Sequence, residues 1–196
     1  MSRPRTGEKE KALIESAIHL FLEQGVKGTT IKQIAKQANV AVGTVYVYFR
    51  DKPEIVRRVA YAFAEHHHEF TQSILQSRRK PLEKLNAYLL GFYDMWQPFG
   101  KNTQGSVELA EAVLQHAPET PALAEAEFLS TIERILNEAR DGGMSIERPK
   151  EEARWIVLST LAFFPLAGTP NIRPVSGPLK RKDLEGLLHW IGRKLT

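Results

Sequence analysis

Side chains able to make or break bonds are few in this sequence, and their spacing does not assemble a reaction. Six histidines and no cysteine are present. The missing thiols exclude a disulfide scaffold, a Cys-ligated zinc, an iron–sulfur cluster and a thiol nucleophile. His19, His116 and His189 stand in unrelated segments without recognisable partner spacing. His66-His67-His68 suggests metal ligation, but neighbouring residues on a helix point about 100° apart, so three in a row cannot grip one ion. A surface or hinge-facing helix is the better account, and no metal is expected. No glycine-rich phosphate loop, nucleophile elbow or His-Glu-x-x-His occurs. The chain is therefore expected not to be an enzyme and to need no cofactor.

Binding chemistry is better represented. Of a formal net charge of +4, residues 1–60 hold 11 Lys+Arg against 6 Asp+Glu, and the remaining 136 hold 16 against 17. A basic unit joined to a larger, near-neutral one suits a polyanion at the basic end, although a solvated basic surface explains the charge alone equally well. No apolar run approaches the ~20 residues that span a bilayer. The start, Met1-Ser2-Arg3-Pro4-Arg5, lacks the apolar stretch of a secretion signal, so a cytoplasmic location without membrane partners is expected.

The elements that must position these groups are helices. With 196 residues, 42% of them apolar, the chain can bury a real core. Apolar residues recur at three- and four-residue steps through Ile14, Ala17, Ile18, Phe21 and Leu22, and Gly25 supplies a left-handed stop. Thr30 and Gln33 form a capping box ahead of the stripe Ile31, Ile34, Ala35 and Ala38. Asn39 ends that short helix, Val40 to Gly43 makes a tight turn, and a second short helix runs through Phe49. Asp51 caps a long helix reaching about residue 76, with Pro53 tolerated in its first turn. Further helices are predicted over 81–99, 104–116, 121–141, 149–164 and 180–195, and Pro165 to Pro178 is the longest irregular stretch. The predicted fold is all-α, with about nine helices and no sheet.

Two short helices joined by a tight turn and buttressed by a preceding helix describe a helix-turn-helix. Ile34, Ala35 and Ala38 face its core, Val40 plugs the turn, and Val45 and Phe49 anchor the second helix. Gly43, Thr44, Val47 and Tyr48 are left facing outward, where a major groove can receive them. Lys52 and the start of the long helix offer a charge and free N–H groups to a phosphate.

On these residues the segment Ala12–Val56 resembles the DNA-binding region of TetR-type transcriptional regulators. Phe21, Gly25, Thr29-Thr30, Ile34-Ala35, Gly43-Thr44-Val45-Tyr46, Tyr48-Phe49 and Lys52 carry the resemblance. It implies a three-helix DNA-binding domain over 1–51 and a helical effector-binding and dimerisation domain over 52–196. It further implies a homodimer on a palindromic double-stranded operator, released by an unknown small molecule. Thr30 and Lys32 would meet the phosphate backbone, and Val42, Gly43 and Thr44 would lie in the major groove. Tyr46 and Tyr48 would touch backbone or bases, Lys52 would hold a phosphate, and Arg3 and Arg5 would form a basic arm. Two residues depart from the pattern: Ala41 replaces a frequent serine, and apolar Val47 can read at most a thymine methyl.

For the second domain, Leu85, Leu89, Phe92, Trp96 and Phe99 form one stripe flanked by Tyr88 and Tyr93, either a pocket wall or ordinary core. The effector candidates are Tyr88, Phe92, Tyr93, Trp96 and Phe128, with Glu108, Glu111 and His116, together with Asn86 and Asp94, as polar orienting groups. Residues 103–152 hold 11 acids and 4 bases, which suits a cationic effector or a solvated acidic face. The helix over 149–164 is apolar on both sides, with Trp155, Leu158 and Ala162 opposite Ala153, Ile156 and Phe164. The last helix carries Leu184, Leu187, Leu188, Ile191 and Leu195 beside Trp190. Trp155, Leu158, Ala162, Leu184, Leu188 and Ile191 are the expected dimer contacts, in a four-helix bundle. The expected function is a sequence-specific repressor released by ligand. The alternatives are a helical protein-interaction module and a DNA-binding regulator without a small effector.

Overall fold

A computed structural model describes residues 6–100, 103–164 and 179–195, and every regular element among them is helical. The Arg3–Arg5 arm and the Pro165–Pro178 stretch lie outside the described residues. In chain order the helices are α1 (Thr6–Gly28), α2 (Ile31–Gln37), α3 (Val42–Tyr48), α4 (Lys52–Leu75), α5 (Pro81–Gly100), α6 (Thr103–His116), α7 (Glu119–Asp141), α8 (Pro149–Thr160) and α9 (Arg181–Leu195). A single 3₁₀ turn, Leu161–Phe163, extends α8. Local chemistry accounts for the breaks. Gly25 (φ 80°, ψ 162°) interrupts α1 in a conformation open to glycine, and Asn39 (φ 54°) turns the chain after α2.

The chain divides into two compact units. Unit 1 runs to Glu65 and also takes in Pro98–Pro121. Its core gathers Leu13, Ala17 and Phe21 of α1, Ile34 and Ala35 of α2, Val45 and Phe49, Ile55 and Val59 of α4, and Leu109 of α6. This unit is larger than residues 1–51, because α6 packs on α1 at backbone distance. A Cβ on Gly105 would lie 2.4 Å from the Leu22 carbonyl oxygen and 2.8 Å from that of Phe21. Glu108, one turn on, accepts from the Lys27 N–H (3.2 Å) and the Gln104 side-chain amide (3.0 Å). The Gln104 amide and then the Lys27 N–H hold its carboxyl below the usual range.

Unit 2 comprises His66–Gln97 and the residues from Ala122 onward. Leu85, Tyr88, Leu89 and Phe92 of α5, Ile132, Ile135 and Leu136 of α7, Ala153 and Ile156 of α8, and Leu184 and Leu188 of α9 fill its interior. The buried Lys84 ammonium donates to Leu75 O (3.0 Å) and to Glu138 Oε1 and Oε2 (2.9 and 2.8 Å), tying the end of α4 and α7 to α5. The α9 stripe corrects an expectation. Leu184, Leu188 and Ile191 are buried inside the single chain, so they belong to the protomer's own core and not to a subunit interface. An amphipathic stripe requires burial, and here unit 2 itself supplies the partner surface.

Candidate nucleic-acid interface and ligand site

The reading head is built by local bonds. At the start of α2, Thr30 Oγ1 accepts from Gln33 N–H (3.2 Å) and Thr30 N–H donates to Gln33 Oε1 (2.8 Å), the reciprocal box expected from the sequence. Ile34 and Ala35 are thereby turned inward, leaving Lys32 and Lys36 exposed on the opposite side. After the Asn39 turn, Ala41 caps α3 without a side-chain hydrogen bond, as expected where a hydroxyl is missing. Val45 and Phe49, 0% and 1% exposed, pin α3 from beneath.

The face of α3 left to solvent consists of Val42, Gly43, Tyr46 and Val47. Tyr46 is 56% exposed and Val47 77%, values unusual for an apolar residue with no partner. A Cβ on Gly43 would meet nothing within 4 Å, so the fold itself does not require glycine there. Thr44 and Tyr48 are only half-exposed, and Tyr48 packs on the unit 1 core with its ring 6.3 Å from that of Phe49. The outward set therefore includes Tyr46 and only the edges of Thr44 and Tyr48. A seven-residue helix rotates 100° per residue, and Val45 and Phe49 fix which side is down.

Lys52 also differs from expectation. Its ammonium donates to Val26 O (2.8 Å) and Thr29 O (3.0 Å), carbonyls at and just beyond the end of α1. Two of its three donors thus serve the interior of unit 1, which corrects its assignment as a free phosphate ligand. Asp51 Oδ1 accepts from Glu54 N–H (2.8 Å), and Arg50 N–H donates to Glu54 Oε2 (2.6 Å), so α4 starts with the expected cap. The Glu54 N–H holds the Asp51 carboxyl below the ordinary carboxylate range, helped by Arg50.

Effector candidates separate by unit. Tyr88, Phe92, Tyr93, Trp96 and Phe128 share the unit 2 interior. Phe92 meets Phe128 at 4.4 Å between ring centroids, Phe164 at 5.0 Å and Trp96 at 5.9 Å, and Tyr88 meets Phe128 at 5.4 Å. Glu108, Glu111 and His116 lie in unit 1 instead, and Glu108 is committed to α1. Asp94 pairs with Arg181. None of Glu108, Glu111 and His116 shares a unit with the aromatic rings.

A different polar group does. His67, 4% exposed, sits with its Nε2 3.0 Å from the Tyr88 hydroxyl and its Nδ1 3.3 Å from Glu127 Oε2. Glu127 Oε1 lies 2.6 Å from His68 Nδ1. A carboxylate only accepts, so Nδ1 carries the His67 proton and Nε2 accepts from the Tyr88 O–H. Burial holds His67 below its ordinary pKa against the opposing pull of Glu127, and burial raises Tyr88 well above the usual tyrosine range. The Tyr88 oxygen also faces the hydroxyls of Thr71 and Thr131. Thr71 Oγ1 is buried beside that oxygen. His67, Thr71 and Glu127 escaped the sequence reading. The i, i+4, i+7 spacing of His67, Thr71 and Ile74 is the signal that places this histidine inward. Among the described residues no cluster of three His, Asp or Glu side chains could hold a metal ion.

On α8, Trp155 (67%) and Leu158 (54%) remain largely exposed, as does Ala162, and Trp190 on α9 is 50% exposed. No helix among the described residues is long and apolar enough to cross a membrane.

Residues 13–59 match the family model described as bacterial regulatory proteins, tetR family. The chain is 30% identical over 93 residues to the HTH-type transcriptional repressor KstR2 of Mycolicibacterium smegmatis, covering 47% of this chain and 44% of that one. It is 30% identical over 118 residues to the uncharacterized HTH-type transcriptional regulator TtgW of Pseudomonas putida, covering 60% of this chain and 71% of that one. Thus the chain spans less than half the length of the KstR2 relative and well over half of TtgW. Its fold is shared with the ketosteroid transcriptional regulator KstR2 of Mycobacterium tuberculosis at a TM-score of 0.61 and 18% identity, covering 98% of this chain and 97% of that one.

Proposed function

The chain belongs to the TetR family of bacterial regulatory proteins, and from that premise we propose that it is a homodimeric repressor that binds a palindromic DNA operator. The carrying observation is the α3 face. Val42, Gly43, Tyr46 and Val47 are held outward by the fully buried Val45 and Phe49, beside the exposed Lys32 and Lys36 of α2. Nothing among the described residues covers an apolar, aromatic and glycine-bearing face of that kind, and a major groove would take it in. Tyr46 and Val47 would meet base edges and thymine methyls, Gly43 would let the backbone approach a phosphate, and Thr30, Lys32 and Lys36 would hold the strands.

Reading a palindrome requires two such heads about 34–36 Å apart. Trp155 and Leu158 of α8, Ala162 of the 3₁₀ turn after it and Trp190 of α9 are exposed apolar side chains of unit 2 that would meet a partner subunit. Release by a small effector fits the family premise and the buried aromatic interior of unit 2 with its inset polar chain. A ligand there acts by binding better to a dimer whose heads are wrongly spaced for DNA. α4 starts under the reading head at Lys52 and carries His67 and Thr71, so one helix is common to both sites. Such a protein works in the cytoplasm, beside the chromosome.

The test is duplex binding by fluorescence anisotropy across a salt series. Affinity for an operator should fall steeply between low and moderate salt, since each neutralised phosphate adds about 0.9 to the log–log slope. A flat response would refute the DNA reading and favour a protein-interaction module.

A further inference from the structure

Resting on the reading of the α3 face as the surface that meets DNA, we propose that Glu108 of α6 is a positioning residue for operator recognition. It caps, from a helix far along the chain, the single turn that leads α1 into α2.

The turn exists because α1 breaks. Gly25 (φ 80°, ψ 162°) interrupts the helical ladder, so the first N–H groups beyond it stand as at a helix start, where the preceding turn offers no carbonyl. An anion suits such N–H groups. Glu108 Oε2 accepts from Lys27 N–H at 3.2 Å. Its Oε1 accepts from the Gln104 side-chain amide at 3.0 Å, which fixes the direction of the carboxylate. A Cβ on Gly25 would overlap that carboxylate, so glycine serves both the break and the approach. The approach also needs Gly105, where α6 meets the Leu22 and Phe21 carbonyls at backbone distance.

The far end of the turn holds the opposite charge. Lys52 donates to Val26 O (2.8 Å) and Thr29 O (3.0 Å). An anion at the N–H end and a cation at the carbonyl end match the peptide dipoles of the turn. Thr29, 0% exposed, closes it by donating its hydroxyl to Gly25 O at 2.7 Å. The next residue is Thr30, whose box with Gln33 starts α2. Where this turn sits therefore decides where α2 begins, and with it Lys32, Lys36 and the α3 face that follows.

Charge separates this role from that of a bystander. Glu108 is an acid on the basic unit, so deleting it removes repulsion toward phosphate and by itself strengthens duplex binding. A positioning role predicts the reverse. A head that holds its DNA-ready placement about one tenth of the time binds about tenfold more weakly, and loss of one charge-assisted hydrogen bond shifts an equilibrium by roughly that factor.

The experiment titrates the intact protein by anisotropy with two labelled duplexes, the one it enriches from a random pool and a scrambled duplex of equal length. The temperature is one at which circular dichroism shows each variant folded. Glu108→Ala should weaken binding to the enriched duplex about tenfold while leaving the scrambled duplex within about twofold. Glu108→Gln keeps an oxygen for Lys27 N–H and should return the affinity to within about twofold of wild type. Gln104→Ala loosens the carboxylate without removing it and should weaken enriched-duplex binding about threefold, which decides the matter alone if Glu108→Ala does not fold. Enriched-duplex affinity of Glu108→Ala equal to or above wild type, an equal loss on both duplexes, Glu108→Gln as weak as the alanine variant, or Gln104→Ala indistinguishable from wild type overturns the proposal. A wild-type protein that enriches no duplex sinks the DNA reading and this role with it, whereas a sequence-specific wild type with an unaffected alanine variant sinks this role alone.

Discussion

Replacing Gly43 with alanine separates what the fold needs from what DNA needs. A Cβ at this position has no neighbour within 4 Å, and Gly43 lies in the first turn of α3. Folding therefore meets no clash, and alanine is the better helix former by about 0.5–1 kcal/mol, of which a first-turn position yields the smaller part. Unfolding by urea should show Gly43→Ala equal to or more stable than wild type by up to about 1 kcal/mol. DNA affinity should move the other way. If the α3 backbone approaches a phosphate or base edge here, an added methyl forces the helix outward and weakens neighbouring contacts. Loss of one good contact is worth about 1–3 kcal/mol, or roughly 5- to 150-fold in dissociation constant. Anisotropy titration of a fluorescein-labelled operator at fixed salt reads that difference. Operator affinity unchanged from wild type, or a variant destabilised by more than 1 kcal/mol, would refute the placement of this face on DNA.

Other perturbations discriminate equally well. Lys52→Met should cost about 1–3 kcal/mol of stability, chiefly through the stranded Thr29 carbonyl, yet change the salt slope of DNA binding by less than one phosphate; a full unit of slope in chemical denaturation-matched samples would restore Lys52 as a phosphate ligand. Leu188→Glu buries a charge in the protomer core and should unfold unit 2, whereas Trp155→Glu should leave helical content intact and convert the dimer to monomer in sedimentation. His67 is neutral and buried in the folded state, with its pKa below the unfolded value of about 6.5, so the unfolded chain takes up the proton first. Stability should therefore be unaffected above pH 7 and decline as pH falls below about 6.5. His67→Gln should flatten that decline when melting midpoints are compared between pH 7.5 and 5.5.

The sequence reading succeeded where neighbours along the chain decide the outcome. Thr30 and Gln33 cap each other, Gly25 and Asn39 take positive φ, and Asp51 starts α4, because each depends on residues within four positions. The inward turn of Val45 and Phe49 follows from helical spacing in the same way. Failures lie where a distant segment decides. Lys52 looks like any basic residue at a helix start until α1 ends with two carbonyls beside it. Glu108 reads as a ligand-orienting acid until Gly105 lets α6 close onto α1 and brings Lys27 N–H to its carboxylate. The α9 leucines announce burial but not the identity of what buries them, and Trp155 was separable from Leu188 only once α9 had a place in unit 2. His67 was hidden by its flanking histidines, which dilute a spacing signal carried by His67, Thr71 and Ile74 alone.

The most direct test of the central claim is selection of duplex fragments from a random pool by the purified protein, followed by sequencing. A dimer that presents two α3 faces should enrich one inverted repeat, with half-site centres about 10–10.5 base pairs apart or a multiple of that. Tyr46→Ala should enrich a degenerate version of the same repeat. A pool that remains random, or enriches an asymmetric site unaffected by Tyr46→Ala, would contradict the account.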